Sequence, residues 1–351
     1  MMVKIGLIIC GPPPSESVKQ GILAEKCGFD SVWIPDHLVD LDGCKVDPWT
    51  VLAGIGTRTE RVFLCPGVTD VLRCHPAKTA QIVASLDEMT GGRAGLGLGA
   101  GEAMNIIPFG IAWEEANARI QRLKEAIEVI KLLWSSSKEN LVNYTGKYYH
   151  LEEACLDQAP TRKPHPPIYV GALGSPQLLS LVGELGDGWL SWICTPALFA
   201  ERFRVIQEGA SKVGKNVSGI DAVAWLYVAI SEDRKVLKRA VNVGKALLAI
   251  ERNVLKSSGY KVPPLDFSAQ HILASHKSLS SVVKLARDVP DEVVYKTIAL
   301  GSVDECIELI DKFTRNGATH IAIRDLNPNV EKDLEVFANK VIPYFKNGKN
   351  E

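Results

Sequence analysis

The sequence predicts an α/β chain, a (β/α)8 TIM barrel with a helical insertion after the seventh strand, forming a single domain over residues 1–351. Short apolar runs, most of them with β-branched residues, recur eight times, and helical periodicity fills most intervals between them. The length of 351 residues suits such a barrel, whose usual range is roughly 200 to 400 residues. An open doubly wound sheet usually has fewer strands and a glycine fingerprint directly after the first. Here that place holds Pro12, Pro13 and Pro14.

The first strand is VKIGLIIC, Val3 to Cys10. Its apolar run is too short for a signal peptide or a membrane span and suits a buried strand. The helix SVKQGILAEKCG follows, with Ser15 as its expected cap and Gly28 as its stop. Strand two is SVWIP, followed by a helix over PWTVLAGIGTRT; strand three is RVFLCP, followed by a helix from Pro76 to Met89. RAGLGLG, Arg93 to Gly99, is the fourth strand. The helix after it runs from about Asn117 to Trp134, with Ile120, Leu123, Ile127 and Ile130 spaced three and four apart. PIYVG, GWLSW, AVAWLYVAI and HIAIRD supply strands five to eight, and a final helix reaches about Tyr344.

Two stretches exceed the minimal repeat. NYTGKYYHLEEACLDQAPTRKPHPP reads as a small hairpin and a proline-rich crossing. The largely helical segment at about 232–299 is too long for a simple connection and reads as an insertion over one barrel end.

Composition narrows the class. Hydrophobic residues at 46% and charged residues at 23% can fill a core and exclude a disordered, collagen-like or coiled-coil chain. Lys+Arg 40 against Asp+Glu 41 gives a net charge of -1, so no global field favours nucleic acid or anionic lipid. The eight cysteines form no CxxC pair and read as reduced thiols of a soluble cytoplasmic protein. The histidines lack metal-ligand spacing, so no metal is assigned. The expected partner is a small-molecule substrate, with neither nucleic acid nor membrane.

In such barrels chemistry sits at the carboxyl ends of the strands. Strand two ends in Asp36-His37, a side chain that exchanges protons near neutral pH beside a carboxylate; a capping Asp and a solvent-facing His read equally well. Strand three ends in Gly67-Val68-Thr69-Asp70 and strand four in Gly99-Ala100-Gly101-Glu102-Ala103-Met104-Asn105. Small residues let backbone approach a flat ring, Glu102 can move a proton, and Asn105 can donate and accept; rim glycines can also simply relieve crowding. Gly171-Ala172-Leu173-Gly174-Ser175 opens a helix, which suits a phosphate cradle or an ordinary capped turn. The tryptophans Trp189 and Trp192 can wall an aromatic cofactor or fill the core.

These stretches together resemble the bacterial luciferase-like family, in its branch using the deazaflavin coenzyme F420. WIPDH, PGVTD, HPAKTAQIVASLDEMTGGRAGLGLGAGEAMN, IYVGALGSPQLLSLVGELGDGWL and GSVDECIELIDKFTRNGATHIAI carry the resemblance, over nearly the whole chain except the insertion. It implies hydride transfer between coenzyme F420 and a small carbonyl, alcohol or methylene-pterin substrate, in a homodimer or higher homo-oligomer. The alternatives are an FMN-dependent monooxygenase and a non-catalytic barrel relative. Matched by position, His37 and Glu102 are the catalytic acid/base groups. Asp36, Gly67, Val68, Ala100, Gly101, Asn105, Gly171, Ala172, Gly174 and Ser175 match cofactor contacts, and Gly67-Val68 matches the family's non-prolyl cis peptide. Two departures leave the substrate open. The alcohol and sugar dehydrogenases share a tryptophan shortly after the Asp-His pair, where this chain has Leu38, Val39, Asp40 and Leu41. Several members place a carboxylate near the end of strand one, where Ile8, Ile9 and Cys10 stand.

Overall fold

The computed structural model describes residues 2–39, 46–261, 271–327 and 330–346. Asp40 and Leu41, and part of the stretch predicted as an insertion (262–270), lie outside the described residues. The first apolar run forms β1 (Lys4–Ile8), and α1 (Pro14–Lys26) follows. Ser15 is not its cap. Pro13 stands at the boundary and Pro14 takes the first turn, where a missing N–H costs nothing, so Ser15 falls inside the helix.

Next come β2 (Ser31–Ile34), α2 (Pro48–Gly56), β3 (Phe63–Pro66), β4 (Thr69–Asp70), α3 (Pro76–Met89), β5 (Leu96–Gly99) and α4 (Ala116–Trp134). The hairpin β6 (Val142–Thr145) with β7 (His150–Ala154) leads to β8 (Ile168–Gly171), α5 (Pro176–Leu185), β9 (Gly188–Ser191), α6 (Pro196–Lys212) and β10 (Asp221–Ile230). Then follow α7 (Arg234–Ile250), α8 (Arg252–Ser257), α9 (His276–Ala286) and α10 (Asp291–Tyr295). The chain ends with β11 (Ala299–Gly301), α11 (Val303–Arg315), β12 (His320–Asp325), α12 (Val330–Val336) and α13 (Ile342–Lys346).

A local code starts four of these helices: a side-chain acceptor followed by proline. Asp47 Oδ1 accepts from the Thr50 N–H at 2.7 Å, and His75 Nδ1 from Ala77 at 3.2 Å. Ser175 Oγ and Thr195 Oγ1 accept from Leu178 and Leu198 at 3.4 and 3.2 Å. The acceptor satisfies one otherwise unpaired amide, while proline presets the helical φ.

The sheet runs β3-β2-β1-β12-β10-β9-β8-β5-β4, with all its pairs parallel. It closes where Leu64 of β3 bridges Ala94 ahead of β5, through Leu64 N–H to Arg93 O at 2.9 Å and Gly95 N–H to Leu64 O at 2.8 Å. The eight strands read from sequence are therefore the staves of the barrel. Two further strands were not foreseen. β4 is a two-residue resumption after β3, and β11 adds three residues beside the carboxyl end of β10, too few to leave a pattern of their own. Helices α7 to α10 occupy the described part of the stretch between β10 and β11. No helix among the described residues is long and apolar enough to cross a membrane.

Inside the barrel, Ile8, Trp33, Cys65, Tyr169, Leu190, Val223 and Ala322 pack together. Beneath them, at the strands' amino ends, lies a polar plug. Asp221 accepts from Tyr169 Oη at 2.9 Å and Thr319 Oγ1 at 2.6 Å, and its Oδ2 lies 3.1 Å from Lys4 Nζ and 3.2 Å from His320 Nδ1. His320 Nε2 in turn meets Ser31 Oγ at 2.8 Å. Burial would raise the Asp221 pKa, but hydrogen bonds and charge from His320, then Lys4 and Thr319, hold it far below the usual carboxylate range.

Asp325, at the opposite end of β12, behaves the other way. It is 4% exposed. Burial, partly offset by the Asn327 N–H at 3.0 Å and reinforced by the Asp333 carboxylate of α12, pushes its pKa up to about 8. A folded pKa above the unfolded value of about 3.9 means the group's stabilising contribution is complete below that pH and is lost as pH rises toward 8. Asp325→Asn is therefore expected to exceed the wild type in thermal stability at pH 8–9, with the gap closing toward pH 4. A gap that does not vary between pH 4 and pH 9 contradicts this account.

Candidate active site

At the carboxyl ends of the strands a cleft encloses about 1360 Å3, counting its open mouth. Its walls come from the ends of β1, β2, β5, β8, β9 and β10, from the segment joining β3 to β4, and from α7 with Ile272. Asp36, His37, Gly67, Val68, Ala100, Gly101, Glu102, Asn105, Gly171 and Ala172 all line it. Gly174 and Ser175 do not; they form the turn into α5, where Ser175 serves as the cap.

The Gly67–Val68 peptide is cis. The strands beside it carry glycine because there is no room for more. A Cβ on Gly99 or Gly171 would stand 2.9 or 3.1 Å from Val68 Cγ2, and one on Gly97 would stand 2.0 Å from the Pro66 carbonyl oxygen. That last neighbour is backbone and cannot rotate away. Gly97→Ala is expected to destabilise the fold by about 1–3 kcal/mol through overpacking. Wild-type stability in urea denaturation contradicts it.

Across the cleft, His37 Nε2 lies 3.5 Å from Glu102 Oε2. Gly101 turns the chain into Glu102 at φ +87°, with Leu72 and Trp113 close behind its Cα. Asn105, 2% exposed, accepts from the Leu38 and Val39 N–H groups at 2.8 and 2.9 Å and so ties the chain after His37 to the loop after β5. Asn105 and Trp225 both line the cleft, and each has a buried side-chain donor, Nδ2 and Nε1, with no hydrogen-bond partner.

Arg73 is the main residue the sequence reading missed. Its Nε donates to Asp70 Oδ2, its Nη1 to Asp36 Oδ1 at 3.2 Å, and its Nη2 to the Asp36 carbonyl at 2.8 Å. Asp70 Oδ1 also accepts from the Leu72 and Arg73 N–H groups at 2.8 and 2.9 Å. Burial works against the guanidinium charge, but Asp70 and Asp36 outweigh it and raise the Arg73 pKa. The i,i+3 spacing of Asp70 and Arg73 was the available signal; the reach to Asp36 depends on strand order.

Trp189 and Trp192 divide the two roles left open for them. Trp189 is fully buried and stacks on Phe199 at 4.6 Å, whereas Trp192 lines the cleft and donates to Tyr227 Oη at 3.1 Å. Trp225 and Tyr227, two apart on β10, share the face that strand alternation gives them, and both line the cleft.

The family profile of luciferase-like monooxygenases matches residues 6–320. The chain belongs to the luciferase-like monooxygenase family. Within that family it is similar to an F420-dependent glucose-6-phosphate dehydrogenase of Microbacterium testaceum (strain StLB037), 32% identical over 94% of this chain and 93% of the relative. A 5,10-methylenetetrahydromethanopterin reductase of Archaeoglobus fulgidus is 30% identical over 92% of this chain and 94% of the relative. Among solved structures, an F420-dependent secondary alcohol dehydrogenase in complex with an F420-acetone adduct superposes with TM-score 0.81 at 26% identity, covering 97% of this chain and 98% of that one. The luciferase-like chain carries no group of three or more His, Cys, Asp or Glu arranged to hold a metal ion among its described residues.

Proposed function

We infer that this luciferase-like chain is a coenzyme F420-dependent oxidoreductase that moves hydride between the deazaflavin and a small organic substrate of the carbonyl, alcohol or methylene-pterin type. One observation carries the reading. Two residues lining the glycine-walled cleft, Asn105 and Trp225, each carry a buried donor without a partner, Nδ2 and Nε1, beside a His–Glu pair. Buried donors of this kind are costly unless a ligand acceptor meets them, and a flat ring edged with carbonyl oxygens supplies such acceptors. The named relatives support the choice of deazaflavin.

When bound, the deazaflavin supplies a hydride donor or acceptor at one ring carbon. The chain's own residues do the rest. Asp36, Gly67, Val68, Ala100, Gly101 and Asn105 would hold the ring system, and Gly171, Ala172, Gly174 and Ser175, leading into α5, would cradle its ribityl chain and phosphate. His37 Nε2 gives a proton to, or takes one from, the substrate oxygen, and Glu102 Oε2 at 3.5 Å stabilises the charge that develops on the imidazole. Leu247, Ile250 and Ile272 keep water from the reacting atoms. The same reading takes about 232–299 as an insertion over one barrel end, from which α7 and Ile272 reach the cleft, and the protein as a cytoplasmic homo-oligomer; the seven described cysteines, all free, support a reducing compartment.

Separate titrations with coenzyme F420 and with FMN test the reading. Saturable quenching of deazaflavin fluorescence, with none for flavin, is the expected result. Preference for FMN returns the chain to oxygen chemistry, and binding of neither identifies a non-catalytic barrel.

A further inference from the structure

We propose that the substrate half of the cleft takes an uncharged compound with an apolar body, and that Leu247, Ile250 and Ile272 select it by contact. The proposal rests on the deazaflavin reading and narrows it. Leu247 and Ile250 stand three apart on α7, on one face of the helix, and Ile272 joins them in the lining. They are 6%, 8% and 2% exposed although the cleft they line is open to solvent, so they present it with a packed aliphatic wall. Below them Trp192 and Trp225 add aromatic surface.

Charge points the same way. Among the described lining residues, the formally charged side chains are Asp36, Asp70, Glu102 and Arg73. Three carboxylates against one guanidinium leave two negative charges, and the guanidinium is already held by Asp36 and Asp70. Beside the lining in sequence, residues 262–270 contain no Lys or Arg, and residues 40–45 contain Lys45 together with Asp40 and Asp42. A phosphate entering here would add negative charge to a negative wall whose one cation among the described lining residues, Arg73, is already paired. The coenzyme's own phosphate is assigned elsewhere, to the start of α5, where Gly174 and Ser175 lie outside the lining. One polar end, His37, and apolar walls fit a carbonyl or hydroxyl carbon on a hydrocarbon body.

The test begins with a coenzyme F420 titration, which judges the underlying reading alone. On the loaded protein, calorimetric titrations then compare 2-butanone, 2-hexanone and 2-octanone with glucose 6-phosphate. Affinity is expected to tighten about threefold or more per added methylene until the aliphatic wall is fully contacted, with no binding of the phosphorylated sugar. Ile250→Ala is expected to weaken 2-octanone about tenfold and 2-butanone far less. Ketone affinity independent of chain length, no ketone binding, or tighter binding of glucose 6-phosphate overturns the proposal while leaving a coenzyme-binding oxidoreductase. Failure to bind the coenzyme removes the underlying reading and the proposal with it.

Discussion

His37→Ala is expected to lower single-turnover hydride transfer by about 10²–10⁴-fold, the usual worth of a positioned acid–base group, while coenzyme affinity changes by only a few fold. The reason is placement. His37 sits at the tip of β2 with its Nε2 3.5 Å from Glu102 Oε2, and both groups line the cleft. Glu102→Gln keeps the shape of the side chain and removes its charge, so it separates a role in packing from a role in stabilising an imidazolium. It is expected to lose less than His37→Ala, and the double variant less than the product of the two, because groups acting as one unit are not additive. Wild-type rates in both single variants remove the assigned roles.

Arg73→Met is expected to cost about 3–5 kcal/mol of folding stability, the loss seen when one partner of a buried ion pair is removed. Methionine keeps the hydrophobic stem but leaves Asp36 and Asp70 facing each other without a cation. Both carboxylates are largely shielded, their side chains 15% and 7% exposed against 14% for Arg73. Arg73 also grips the Asp36 carbonyl, one residue before His37, so the loss reaches the cleft. Urea denaturation of the three variants Arg73→Met, Asp70→Asn and their combination checks the argument. The double variant is expected to recover much of the loss, because removing one of the two stranded charges relieves the repulsion. A double variant as unstable as the sum of the singles contradicts it.

Much of this architecture is legible in the residues themselves. Four of the eight staves, β1, β2, β3 and β8, announce themselves as apolar runs with β-branched residues ended by Gly or Pro, and Asp47-Pro48, His75-Pro76, Ser175-Pro176 and Thr195-Pro196 mark helix starts. Ser15 misled because a capping residue type next to three prolines is displaced by their fixed φ. β4 and β11 escaped because two or three residues have no period. At the cleft, the residues named from sequence lie on loops directly after strands, where topology alone predicts convergence. Those missed either depend on which strands are neighbours, as in Arg73 reaching Asp36 across 37 positions, or come from outside the repeat, as with Leu247, Ile250 and Ile272. Trp225 and Tyr227 were within reach, since alternation along β10 assigns them one face.

The amide of Asn105 has a consequence for how such a protein changes over time. By clamping two successive backbone amides just past His37, it makes the imidazole-bearing tip and the carboxylate-bearing loop a single mechanical piece. Changes of sequence further along the chain after Val39 are therefore expected to leave the 3.5 Å spacing of His37 and Glu102 in place, so the rim can vary while that pair is kept.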